Sequence, residues 1–191
     1  MQALDAALFA LINASAAAPA WSIHFARFAS DVLPALLATA IIGAAVLDRR
    51  LRYACFTALV SVLAVWIFVN VFRSAMPFQR PAFYGLGIQW APQGARPGFP
   101  SLHAACTFAA AFSLWCLPWR APMLAALAVA AVVGWSRVFL GLHFPFDVVA
   151  GVMLAALVSI VVERGVSRPL NLALRAFMRP RLRARRRGLD S

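Results

Sequence analysis

Five runs of almost wholly apolar residues, at about 30–47, 53–72, 102–119, 121–136 and 148–162, constrain this chain more than any other feature. Each has 15 to 20 residues. At 1.5 Å per residue, a helix of that length just crosses a hydrocarbon core of about 30 Å, with help from its flanks. An irregular segment in lipid would leave backbone N–H and C=O groups without partners, whereas a helix satisfies its own. The expected fold is therefore all-α, an integral membrane bundle of five to six transmembrane helices. The sixth candidate, Leu4 to Ala17, is apolar but short, and the sequence leaves open whether it spans or lies at the interface. The chain is 63% hydrophobic with a mean hydropathy of +0.81, where a soluble domain is just under half apolar. Its 191 residues suit a single bundle.

The charge pattern predicts an orientation. All 18 basic residues are arginine, and the net charge is +12. Such a charge would suit nucleic acid if it were clustered on a soluble surface. Here it flanks apolar runs instead. Threading the chain alternately through a bilayer puts "DRRLR" (48–52), "WRAP" (119–122) and the basic C-terminal stretch on one side, with 13 of the 18 arginines. By the positive-inside rule that side is cytoplasmic. The expected organisation is one membrane-embedded domain over 1–165 and a basic cytoplasmic tail over 166–191. The tail suits anionic lipid headgroups; no nucleic-acid partner is expected. The loop 74–100 and the turn at 141–146 fall on the opposite face, with Arg27, Arg73, Arg80, Arg96 and Arg137. Arg27 can snorkel to the interface and pair with Asp31 one helical turn on. Arg73, Arg80 and Arg137 fit that account poorly.

Two features carry less. Cys55, Cys106 and Cys116 lie in apolar runs without metal-ligand spacing and read as small buried residues. The small residues from Ala14 to Ala20 look like a cleavage site, but no basic residue precedes Arg27, so the N-terminal segment is expected to be retained.

Three short segments fall together on the outer face: "RSAMPFQRP" (73–81), "PSLH" (100–103) and "WSRVFLGLHFPFD" (135–147). Ionisable groups inside apolar helices are costly and point to function. Guanidinium groups bind phosphate oxygens in bidentate fashion and stay charged at any working pH. Ser101 falls at a predicted helix N-terminus, where free N–H groups favour an anion. Pro145 suits the first turn of the last span. This places His143 just before that helix and Asp147 inside its first turn, where the carboxylate can accept the imidazole Nδ1–H and leave Nε2 as a nucleophile. His103, on another helix, can serve as general acid. Two histidines and an aspartate could also hold zinc, but three nearby arginines oppose a cation.

The three segments resemble the signature of the type 2 phosphatidic acid phosphatase superfamily, K-x6-RP, PSGH and SR-x5-H-x3-D. The matches are Arg73…Arg80-Pro81, Pro100-Ser101-Leu102-His103 and Ser136-Arg137…His143…Asp147. Within it, "LDAALFALINA" and "WSRVFLGLHFPFDVVAG" look most like the undecaprenyl-diphosphatase branch of the bacitracin-resistance type, a likeness covering roughly residues 3–163. The resemblance implies metal-independent hydrolysis with no cofactor, in which His143 is phosphorylated, Asp147 orients it and His103 protonates the leaving group. It implies that Arg73, Arg80, Ser101, Leu102, Ser136 and Arg137 hold the phosphate. It also implies a multi-pass protein of the bacterial inner membrane, its site facing the periplasm, that regenerates the lipid carrier of peptidoglycan synthesis. Two positions depart from the signature. Arg73 keeps the lysine's charge with a different reach. Leu102 replaces a glycine, and would be strained if that position required a left-handed backbone. Other lipid phosphates (phosphatidylglycerophosphate, phosphatidic acid, lipid A phosphate) and a non-enzymatic lipid-phosphate-binding protein are the alternatives.

Overall fold

The computed structural model describes residues 2–93 and 97–173. Arg96 and the tail from residue 174 onward lie outside the described residues. The described chain is all-helical: α1 (Gln2–Ile12), α2 (Ala20–Leu47), α3 (Arg52–Ala75), α4 (Leu102–Ser113), α5 (Ala121–Phe139) and α6 (Pro145–Ala173). A short 3-10 turn over Pro81–Tyr84 sits in the loop between α3 and α4.

Four of these helices, α2, α3, α5 and α6, are long and apolar enough to cross a membrane. Their outward faces carry exposed apolar side chains such as Leu36, Trp66, Phe68, Met153 and Leu157. In water such a surface would aggregate; against lipid tails it is the expected solution. The protein is a multi-pass membrane protein.

The run expected to span at 102–119 behaves differently. It forms the 12-residue α4 and then a 3-10 turn, Leu114–Cys116. At 1.5 Å per residue the α-helical part is about 18 Å long, short of a bilayer core. It packs mainly on α3, α5 and α6. Ala104, Ala105, Ala109 and Ala111 are fully buried in those contacts. Small side chains let helix backbones approach closely where lipid gives no hydrophobic drive for association. Gly151 of α6 extends this logic. A Cβ there would stand 3.0 Å from the Ser101 carbonyl oxygen and 3.2 Å from the Ala105 nitrogen. Glycine thus lets α6 lie against the first turn of α4.

α2 begins at Ala20, well before the expected 30. Its two halves, Ala20–Asp31 and Leu33–Leu47, meet at Val32. Pro34 has no N–H to give the carbonyl of Ser30, which breaks the ladder there. The segment left open at 4–17 resolves into the 11-residue α1 followed by a turn.

At one end of the bundle, Arg49, Arg50, Arg52, Arg120, Arg164 and Arg168 are exposed. Arg52 donates from Nε to the Ala45 carbonyl (3.0 Å), and Arg120 to Trp115 (2.9 Å). These guanidinium groups satisfy carbonyls that a helix end leaves open. The opposite end gathers the close of α3, the start of α4, the close of α5 and the start of α6.

Candidate active site

The third sequence segment is a compact turn between α5 and α6. Arg137 is the last buried charge of α5. Its carbonyl accepts the N–H of both Leu142 (3.0 Å) and His143 (3.2 Å), which folds the chain back on itself. Gly141 makes that possible with φ of 75°, a conformation that favours glycine. α6 then starts at Pro145. Asp147 occupies its first turn, and its Oδ2 accepts the Phe144 N–H at 3.0 Å. An acidic residue reaching back to a helix's leading N–H is a capping interaction. The same Oδ2 lies 3.1 Å from His143 Nδ1. The spacing of His143 and Asp147 is therefore the spacing that lets one carboxylate oxygen fix both the helix start and the imidazole.

The tautomer follows from the other ring nitrogen. Arg80 NH1 stands 3.2 Å from His143 Nε2. A guanidinium only donates, so Nε2 must accept and the proton resides on Nδ1, facing Asp147. Arg80 also donates to the Leu142 carbonyl (2.7 Å) and the Pro97 carbonyl (3.3 Å).

Arg73, at the end of α3, donates to the carbonyls of Gly98 (3.0 Å) and Pro100 (2.6 Å) and so draws the loop onto the site. Arg137 is 3% exposed and donates to Ser30 Oγ of α2 and to Gln93 Oε1 at 3.0 Å. The Ser101 N–H donates to the Asp147 carbonyl (2.9 Å), which joins the starts of α4 and α6. Its hydroxyl is buried and has no partner among the described residues. Leu102 is the first residue of α4, and none of the described non-glycine residues has positive φ. The glycine-to-leucine departure thus brings no backbone strain, and the N–H of a leading helical residue needs no intrahelical acceptor. His103 lies in the same first turn, half-buried. Ser136 is buried but donates its hydroxyl to Val133 of its own helix (2.7 Å). In this arrangement it offers phosphate no donor; a change of rotamer is required.

The electrostatics favour an anion. Burial holds the His143 imidazole well below its ordinary 6.5, and the positive charges of Arg137, Arg80 and Arg73 add to the effect. Burial, with Arg73 alongside and Asp147 opposing, pushes Arg80 down to about 10. At neutral pH the imidazole is therefore uncharged and the guanidinium groups are charged. Three cations around one carboxylate leave a positive site whose desolvation an incoming phosphate offsets.

The profile of the PAP2 superfamily matches residues 50–169, which include every candidate catalytic and phosphate-binding residue. The chain belongs to the PAP2 superfamily. It is a PAP2-type phosphatase, a family whose substrates are lipid phosphates. The Escherichia coli (strain K12) protein named "Putative undecaprenyl-diphosphatase YbjG" is 34% identical over 160 residues, 80% of this chain and 78% of that protein. Two crystal structures share the PAP2 fold. Aquifex aeolicus LpxE matches with a TM-score of 0.69 at 22% identity, over 84% of this chain and 95% of that one. A PAP2-type phosphatidylglycerolphosphate phosphatase from Bacillus subtilis matches with a TM-score of 0.66 at 20% identity, over 87% and 86%.

Several residues of the candidate site carried no sequence signal. Ser30 and Gln93 engage Arg137 from an apolar helix and from a loop. Gly98 lies where a Cβ would stand 3.0 Å from Arg80 Cγ and 3.6 Å from Asp147 Oδ2. Only its spacing from Arg73 and Pro100 marks it. Arg27 does not pair with Asp31; its Nε and NH2 donate to the Trp90 carbonyl.

Proposed function

We propose that this chain hydrolyses the terminal phosphate of undecaprenyl diphosphate through a phosphohistidine, with its site on the outer face of the bacterial cytoplasmic membrane. The observation that carries the chemistry is the polarity of His143: Nδ1–H faces Asp147, and the Nε2 lone pair faces Arg80. Nε2 attacks the terminal phosphorus, and the bond to the bridging oxygen breaks. His103 gives that oxygen a proton, so the lipid monophosphate leaves. Asp147 stabilises the positive ring. Arg73, Arg80, Arg137, the Ser101 hydroxyl and the Leu102 N–H hold the charge that develops on the equatorial oxygens. Ser136 joins them after rotamer change. Water, deprotonated by His103, then cleaves the P–N bond and releases inorganic phosphate. No metal or cofactor takes part.

The choice of substrate rests on the 34% likeness to the Escherichia coli protein. The facing follows the arginine distribution, which puts the site end opposite the cationic end. The test is phosphate release by purified protein from undecaprenyl diphosphate, phosphatidylglycerophosphate, phosphatidic acid and lipid A phosphate, with and without a chelator. The expected outcome is the highest kcat/KM on the diphosphate, no effect of chelator, and no turnover by His143→Ala. Preference for a monophosphate would reassign the substrate. Activity in His143→Ala would remove the phosphohistidine.

A further inference from the structure

We propose that α1 braces the turn that carries the nucleophile, and that Asp5 is its positioning residue, holding the start of α6, and with it His143 and Asp147, through the Phe146 N–H. This rests on the phosphatase reading above. Asp5 and Asn13 both fall in "LDAALFALINA" (4–14), outside the three segments that supply the candidate catalytic groups. The mechanism above uses neither.

α1 grips the turn at both ends. At the near end, the Phe139 carbonyl accepts from Asn13 Nδ2 (3.0 Å) and from the Ala14 N–H (2.9 Å). Asn13 also donates to the Ile88 carbonyl (3.0 Å) and accepts the Ile88 N–H (2.8 Å), which ties the loop after α3 to the same point. At the far end, Asp5 Oδ1 accepts the Phe146 N–H (3.0 Å). Between them the buried Phe9 meets Phe144 edge to face at 5.6 Å. The bracketed stretch, 139–146, contains His143.

Phe146 is where a hold is needed. It is the second residue of α6, so no intrahelical carbonyl serves its N–H. Pro145 before it has no N–H to offer, and the Asp147 N–H goes to the Phe144 carbonyl (3.1 Å). Asp5 supplies the acceptor from another helix, and a carboxylate is favoured at a helix N-terminus. Asp147, next in the chain, sets its Oδ2 between the Phe144 N–H and His143 Nδ1. A shift of this first turn therefore moves the carboxylate and the imidazole together. Nε2 must meet the phosphorus in line, and a misplacement of about 1 Å costs about 10²-fold. Asp5 thus acts through Asp147 and His143.

The test uses the full chain in detergent and reads kcat and KM for phosphate release from undecaprenyl diphosphate, with the thermal midpoint of each variant. Asp5→Ala should lower kcat about 10- to 100-fold and leave KM within about twofold. Asp5→Asn, whose amide oxygen can still accept the Phe146 N–H, should keep kcat within about threefold. Phe9→Leu weakens the contact with Phe144 and guards against an Asp5→Ala chain that fails to fold; it should lower kcat about threefold. Leu11→Ala, on the exposed face of α1, should alter neither constant. In protein carrying isotope-labelled histidine, Asp5→Ala should shift the His143 Nδ1–H resonance, identified by its loss in His143→Ala, and Asp5→Asn should not. Unchanged kcat in Asp5→Ala and Phe9→Leu, or a loss confined to the thermal midpoint, overturns the brace. Asp5→Asn as impaired as Asp5→Ala overturns the Phe146 hydrogen bond as its basis. No turnover of any lipid phosphate by the unaltered chain sinks the phosphatase reading instead, and the His143 resonance still decides whether Asp5 holds the turn.

Discussion

Arginine collects at both ends of this bundle and is used in opposite ways. At one end Arg49, Arg50, Arg52, Arg120, Arg164 and Arg168 are all exposed. At the other, Arg80 and Arg137 are buried and Arg73 is half-buried. Of the exposed groups, Arg52 and Arg120 close helix carbonyls, and all face solvent or headgroups, where each contributes little to stability. The buried groups are held by loop carbonyls, Ser30 and Gln93 around one imidazole. On the function proposed above, the same side chain marks topology where water reaches it and clamps an anion where it does not. Local dielectric and partner geometry make the difference, and the count of charges does not.

The sharpest way to break the contrast is at Asp147, a buried acid among the inward cations. Asp147→Ala removes the group that holds both His143 and the Phe144 N–H, and should lower kcat by about 10³-fold or more. Asp147→Asn should cost less. The Phe144 N–H selects the amide oxygen for the Oδ2 position, which keeps the imidazole tautomer while losing the charge. Equal losses in the two variants, measured as phosphate release, would show that the shared oxygen does not set the ring.

A smaller effect should appear in pH dependence. His143 is held below 6.5 by burial and by its arginine neighbours. Arg137→Gln removes one of those charges, so the imidazole's pKa rises. The acid limb of kcat/KM, which reports the free enzyme, should move upward. The same depression makes folding stability fall as pH drops below 6.5, because the unfolded chain's histidine takes the proton first. In Arg137→Gln that loss should shrink. An unmoved acid limb would mean that burial alone sets the ring.

The smallest catalytic effect belongs to the other end. Arg49→Gln combined with Arg120→Gln should leave kcat/KM within about twofold and stability within about 0.5 kcal/mol, as for surface changes generally. Replacing Arg49, Arg50 and Arg52 together by glutamine should instead invert a fraction of the chains. Labelling of Gln89→Cys by an impermeant thiol reagent, in a background lacking the three native cysteines, reads that fraction. A large fall in turnover per correctly oriented chain would erase the contrast between the ends.

The sequence made the pairing of His143 with Asp147 legible because both lie within one turn and one helix start, where spacing determines geometry. It made the fold class legible through four helices with long apolar faces. The regular length of α4 was overestimated, because hydropathy does not register that the apolar run leaves the α-helix at Ser113 for a 3-10 turn. The start of α2 was missed because Ser22, His24, Arg27 and Asp31 interrupt its hydropathy; some of its polar groups, such as Ser30, face inward to the site. Asp5, Gln93 and Gly98 act across long separations, and a single sequence holds no record of what they meet.

The shortness of α4 bears on how the protein responds to the membrane around it. A bilayer thicker or thinner than the spans prefer is accommodated by tilting of helices that reach both faces. The segment from Leu102 to Arg120 crosses the bundle with only its first 12 residues as α-helix, and its start is referenced to its protein neighbours through the Ser101–Asp147 backbone bond and the Gly151 contact. Hydrophobic mismatch is therefore absorbed by the outer helices. The separation of His103 from His143 is insulated from lipid chain length, and kcat should vary less across bilayers of different thickness than KM, which includes delivery of the substrate from the lipid phase.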